Sequence, residues 1–457
     1  MLKFETIGNA TLICTEEQPI LVTDPWFIGT PYFGSWSLPH KIPSEQLQNI
    51  KSAKYVWFSH GHPDHLMSES LELLTGKEIL IPDHIGGRIY NEFKEIGLNV
   101  KVLKNKTWYQ LSKHIRINCL SDYAQDAILL IEIGDKLIIN ANDTHPRGHT
   151  SYIRSVAKGY IERILLKTFS YGDIDMINFF NENMERITPE QPERLLRQRS
   201  FAPQLSFWGQ YYSATHIIPF SSFHQYQRTD SLWASRYTAK IDAFYMDGTL
   251  VDGIEILKPF VNWNIGSNNQ IDFINPEPNI VEPIAPIEFG DDWNESLQTS
   301  DKLALKEYFE SIELIWKSMD FIDLRVGGES FCIAQKTQTK NKGLRFEVPR
   351  NSLMIAVKNN VFDDLLIGNF MKTIFVGDWN STNLDSFSLN VSKIADNGGA
   401  RTKKEVRDYY LEYIQRDTKA IIAHLFGRES ERIFRSFVDS ESEIFKFSKK
   451  AYLWLGK

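Results

Sequence analysis

One stretch constrains this chain above all others: YVWFSHGHPDH, residues 55–65. Its first half is aromatic and β-branched, the composition of a buried strand. It then runs directly into His60, His62, Asp64 and His65. A strand ending in H-x-H-x-D-H sets four ligand-type side chains on one tight loop. His60 and His62 stand two apart, so at a strand end they project to the same side. Asp64 and His65 follow Pro63, which bends the chain and aims them at a second point. The pattern reads as one half of a site for two adjacent metal ions. Imidazole with carboxylate suits zinc or iron, and the absence of nearby cysteine argues against a structural Cys-rich zinc site. A solvated loop with merely hydrogen-bonded histidines is the plainer alternative. It sits poorly with a chain that has only 11 histidines in 457 residues and places three of them here.

Length and composition suit a protein of two or three domains. Apolar residues make up 42% and charged residues 24%, enough for a sizeable core and an ordinary surface. Net charge is −7 with no long basic run, which disfavours binding driven by nucleic-acid phosphates. No segment approaches the roughly 18 apolar residues of a membrane span. The opening MLKFETIGNATLICT carries Glu5 and does not read as a signal peptide. Three widely spaced cysteines make a disulfide framework a poor reading. A cytoplasmic enzyme is expected.

The N-terminal half alternates short apolar strands with turns. LKFETIG, ATLICT and PILVTDPW predict three strands, broken at Gly8-Asn9 and at Glu17-Gln18-Pro19. HLMSESLELLTG and GGRIYNEFKEIG carry helical spacing around the strand EILIPDH. DAILLIEIGDKLIINANDT predicts a hairpin turning at Gly134-Asp135. Four prolines in residues 276–290 mark a linker. Beyond it, SDKLALKEYFESIELIWKSM predicts a helix, SLMIAVKNNVFDDLLIGNFMKTIFVG a helix then a strand, and a last helical region starts near Lys403.

SHGHPDH after an apolar strand resembles the metal-binding motif of the metallo-β-lactamase fold, and Asp24 in ILVTDPW sits at a strand end as it does in that superfamily. The resemblance covers roughly residues 1–230. LVTDPWFIGTPYFGSWSLPHKIP followed by YVWFSHGHPDHL is most similar to the catalytic region of CMP-N-acetylneuraminate hydroxylases. A looser likeness is to the phospholipase D that cleaves N-acylphosphatidylethanolamines. The fold implied is α/β: a metallo-β-lactamase-like αββα sandwich over residues 1–275, a Pro-rich linker over 276–299, and an additional C-terminal α/β domain over 300–457. That last domain loosely resembles sterol-carrier-like modules found behind some alkylsulfatases. A packing or oligomerisation role is the preferred reading of it.

The resemblance implies the remaining ligands. Asp143, after the strand LIINAN, matches the aspartate that bridges the two metals. The third ligand of the first metal is usually a histidine where this chain reads CLSDYAQDAILLIE, so Asp122 is the nearest substitute, with Asp126 behind it. His224, after THIIPF, matches the last ligand, with His145 and His149 as competitors and His216 as a core histidine. His60, His62 and Asp122 then hold one ion, Asp64, His65 and His224 the other, and Asp64 and Asp143 carry the catalytic roles. The aromatic residues of WFIGTPYFGSW, together with Asp173, Asp175, Arg228 and Arg236, are pocket candidates. His40, His84, His114 and His424 are taken as structural.

Two divalent ions are implied, iron favoured, zinc or manganese the alternatives. The favoured function is an iron-dependent oxygenase of hydroxylase type acting on a polar small molecule. No C-x-H…C-x-x-H iron–sulfur spacing occurs, so such an enzyme needs a separate electron-donor protein. The alternative is a hydrolase of a phosphoester, lactone or amide that uses a metal-bridging hydroxide, and a non-catalytic scaffold stands third.

Overall fold

The computed structural model describes residues 1–168, 176–187, 202–221, 223–238, 250–266, 269–335, 341–379, 384–418 and 424. Two eight-stranded sheets form the N-terminal part. In the first, Leu2–Ile7, Thr11–Glu16 and Gln18–Thr23 make an antiparallel meander. Tyr55–Trp57, Glu78–Pro82 and Asn99–Leu103 then extend it in parallel. The second sheet is wound the same way. Ile115–Ser121, Ala127–Ile133 and Lys136–Asn142 form the meander, and Arg163–Lys167, His216–Pro219 and Ile254–Ile256 the parallel extension. Short outer strands flank each sheet.

Strand alternation builds the layers. Leu12 and Cys14 point into the space between the sheets, where they meet Leu129, Ile131, Ile138 and Ile164 of the second sheet. Ile13 and Val22 point the other way, into the outer layer with Ile50 of the helix Ser44–Ser52. Each fully buried Leu or Ile of this kind contributes roughly 1.5–3 kcal/mol. On the opposite face Ala202–Tyr212 lies against Arg163–Lys167 and His216–Pro219. The result is the expected αββα sandwich. The predicted turns appear at Glu17, with φ 58°, and at Gly134, with φ 61°. Gln18 and Pro19, expected in the first of these turns, already belong to the next strand.

A third, five-stranded sheet carries its own core, with Leu305, Phe309, Ile322, Leu344, Phe346 and Phe362 buried together. Phe179–Phe180, from the middle of the chain, pairs in parallel with Lys372–Gly377 at its edge. The proline-rich stretch is extended and pinned: Ile284 pairs with Arg228 and Pro278 with His40. The helix predicted over SDKLALKEYFESIELIWKSM runs from Thr299 only to Ser311, and a 3₁₀ turn over Ile315–Lys317 follows. No helix among the described residues is long and apolar enough to cross a membrane.

Candidate metal centre

Three strand ends deliver the candidate ligands to one place. Asp24 follows Thr23 at the end of the first meander and Asp143 follows Asn142 at the end of the second. The chain leaving Tyr55–Trp57 runs through Phe58 and Ser59 into His60. The amides of His65 and Leu66 both donate to the His62 carbonyl, at 3.0 and 2.8 Å. That turn folds Asp64 and His65 back beside His60. One atom each from His60, His65 and Asp143 lies within 4.8 Å of the others.

Every ring of the motif turns one nitrogen inward. His60 Nε2 and His62 Nδ1 face each other at 2.9 Å. His65 Nε2 faces Asp143 Oδ2 at 3.0 Å and Asp64 Oδ2 at 3.4 Å. The other nitrogen of each ring meets a carboxylate: His60 Nδ1 with Asp126 at 3.3 Å, His62 Nε2 with Asp363 at 3.0 Å, His65 Nδ1 with Asp24 at 3.2 Å. Buried imidazole nitrogens converging with carboxylate oxygens, and no thiolate among them, are a donor set that fits a divalent ion.

The electrostatics follow from burial and these pairings. Burial first, then the charges of His65, His62 and Lys393, hold His60 well below its ordinary pKa. Burial also opposes the His65 cation, but Asp143 and Asp64 outweigh it and hold His65 well above. Burial raises Asp24 despite its bonds to His65 and to the Ser59 amide. Asp143 lies below the usual range because His65, Ser221 and Lys167 together overcome its burial.

The other expected ligands divide. Asp64 sits at the cluster, accepting from Tyr32 Oη at 2.5 Å and Asn9 Nδ2 at 2.9 Å. Asp122 is engaged elsewhere: it accepts from the Ala124 amide at 2.7 Å, Arg147 Nη1 at 2.8 Å and Thr144 Oγ1 at 3.0 Å. Among the contacts described for His60, the carboxylate is that of Asp126. His224 stacks flat on Trp36, with ring centroids 3.5 Å apart and planes 6° apart. Among the described residues the ligand cluster is His60, His65 and Asp143, without Asp122 or His224.

The competitors lie apart from the cluster. His149 meets the Ser121 carbonyl at 3.0 Å, and His145 lies against Trp208. His216 is beside Glu255, His40 against Phe260, His114 against Glu16, and His424 near Tyr123. His84 meets the Asp126 carbonyl at 3.0 Å, one residue removed from the cluster. Arg228, a pocket candidate, is fully buried between Asp230 and Asp291 and cannot reach a ligand. Arg236 is exposed and lies over the Tyr237 ring. Asp173 and Asp175 lie outside the described residues.

Sequence reasoning missed Asp363 and Lys393, whose Nζ is 3.5 Å from His62 Nε2. It also missed Asn9 and Ser221, which bond Asp64 and Asp143. The signal for Asp363 was present in VFDDLLIGNF, an apolar helix whose two acids are buried with it.

No family model matches the chain. Among curated proteins it is similar to the cytidine monophosphate-N-acetylneuraminic acid hydroxylase of Gorilla gorilla gorilla, at 30% identity over 138 residues. That match covers 28% of this chain and 23% of the relative, so the chain spans about a quarter of that protein's length. Among solved structures, CmlA, a diiron beta-hydroxylase from Streptomyces venezuelae, superposes with a TM-score of 0.32 at 11% identity, over 54% of this chain and 48% of that one. The metallo-beta-lactamase fold protein YhfI from Bacillus subtilis gives 0.29 at 12% identity, over 57% and 98%.

Proposed function

We propose that this chain, a metallo-β-lactamase-fold protein similar over part of its length to a sialic-acid hydroxylase, is an iron-dependent oxygenase acting on a polar small molecule. The observation that carries the metal is the convergence of His60, His65 and Asp143, with ligand atoms within 4.8 Å. The preference for oxygen chemistry rests on the 30% identity to a hydroxylase. Bound here, a pair of iron ions supplies the redox chemistry that activation of O₂ requires.

The chain's own residues do the rest. His60, His62, His65, Asp64 and Asp143 hold the ions. Asp24 and Asp126 fix two of the rings from behind. Tyr32 and Asn9 hold Asp64 in one orientation. Asp143 has the most open side chain of the set, 30% exposed against 0% for His65, so the substrate approaches from its side. Electrons come from a separate donor protein.

Metal analysis tests the reading on protein from cells supplied with iron and zinc, beside His60→Ala. About two irons per chain, lost in the variant, together with reductant-dependent O₂ uptake, is the expected result. Zinc in their place, with turnover unchanged in the absence of O₂, moves the chain to the hydrolases. No metal in either protein removes the enzyme reading.

A further inference from the structure

We propose that Asp363 is a positioning residue of the metal centre, so that the C-terminal part of the chain completes the histidine motif. This rests on the reading that the motif holds metal. An ionised aspartate can only accept a hydrogen bond, so an imidazole nitrogen paired with one carries the proton. Behind His65, Nδ1 stands 3.2 Å from a carboxylate oxygen of Asp24 while Nε2 points inward. Behind His60, Nδ1 stands 3.3 Å from Asp126 and 2.9 Å from Ser59 Oγ while Nε2 points inward. His62 is turned the other way: its inward nitrogen is Nδ1, 2.9 Å from His60 Nε2. Its proton therefore belongs on Nε2, and the group waiting there is Asp363 at 3.0 Å.

Asp24 and Asp126 come from the loops of the two sheets. Asp363 comes from the helix Phe362–Ile367, 301 residues beyond His62. That helix is buried among the apolar side chains of the C-terminal core, and Phe362 and Leu365 belong to it. A carboxylate in such surroundings is costly unless it is paired. Its hydrogen bond with His62 supplies that partner, and the nearby Lys393 ammonium adds a compensating charge. Of the three rings, His62 alone takes its orienting carboxylate from the C-terminal part.

A plain inter-domain tie would look similar in a static structure, so the test must separate the two. Cobalt(II) alone is titrated into the full chain, reading affinity and the visible absorption of the bound ion. For Asp363→Asn the expected result is a roughly 10–100-fold weaker affinity and a shifted spectrum. In a His62→Ala background the same substitution should change affinity no further, because its effect passes through that ring. Should Asp363→Asn fail to fold, Asp363→Ser reads the same affinity. An affinity within twofold of wild type overturns the proposal, and so does an undiminished effect in the His62→Ala background. If wild type binds no cobalt at all, the metal reading itself has failed, a result distinct from the other two.

Discussion

The buried guanidinium of Arg228 ties the wall of the metal centre to the C-terminal core, and its removal should be among the most damaging single changes in the molecule. Its Nε and Nη2 donate to both oxygens of Asp230 at 2.8 and 3.1 Å, and Nη1 donates to the Phe33 carbonyl at 2.9 Å and forms an ion pair with Asp291 at 2.7 Å. Its plane lies 3.9 Å from the Phe370 ring centre. Asp291 in turn accepts from the amide and hydroxyl of Ser352, at 2.9 and 2.6 Å. Arg228→Met keeps most of the volume but leaves Asp291, with a side chain 0% exposed, facing a thioether. Stripping one partner from such a pair costs about 3–5 kcal/mol, most of it the charge left behind. Adding Asp291→Asn removes that charge, so the double variant should be more stable than the sum of the single losses by about 1.5–3 kcal/mol. Urea unfolding at constant m reads both quantities. A loss under about 1 kcal/mol for Arg228→Met, or strict additivity, would refute the reasoning.

Two further outcomes follow from local geometry. Burial pushes the Asp396 carboxyl from the usual 3.8 up to about 7, despite its bonds to Tyr308 and Arg401. The unfolded chain then binds fewer protons than the folded one between those values, so stability falls as pH rises from about 4 to about 7 and levels off above. At about 1.4 kcal/mol per pKa unit the span is on the order of 4 kcal/mol, and melting curves across that range should lose this slope in Asp396→Asn. Tyr32→Phe deletes the hydroxyl that donates to Asp64 at 2.5 Å. A bond to a charged group contributes about 1.5–3 kcal/mol, so urea unfolding that shows no loss would mean Asp64 is held by other contacts.

Most of the sandwich was legible because its strands are local and strongly patterned. The turns at Glu17 and Gly134, the histidine loop and Asp143 all follow from short windows. The last helix announces itself through Thr402, whose side chain accepts from the Glu405 amide in a capping box. The site was legible as far as one loop can carry it. Asp122 is bound by Arg147, 25 residues further on and also 3.7 Å from Asp126, a pairing that no short window of sequence displays. His224 lies where the pattern expects it, but the flat face of Trp36 holds its ring. Asp363 could be flagged as a buried acid in an apolar helix, but its partner could not. No local pattern says which of 58 acidic residues will fold back against a histidine 301 positions earlier.

The repeated winding of the two sheets gives His65 an unusual place. Asp24 and Asp143 each follow the third strand of their own meander, so they are counterparts, one from each sheet. The imidazole stands between them, 3.2 Å from one and 3.0 Å from the other. Equivalent positions have thus been put to unequal use: the first aspartate is sealed and serves as an anchor, while the second opens toward solvent. An ion held by His65 and Asp143 would therefore act as a rivet between the sheets. Whatever binds there resists any sliding of one half of the sandwich over the other, and it stabilises the whole in proportion to how tightly it is held.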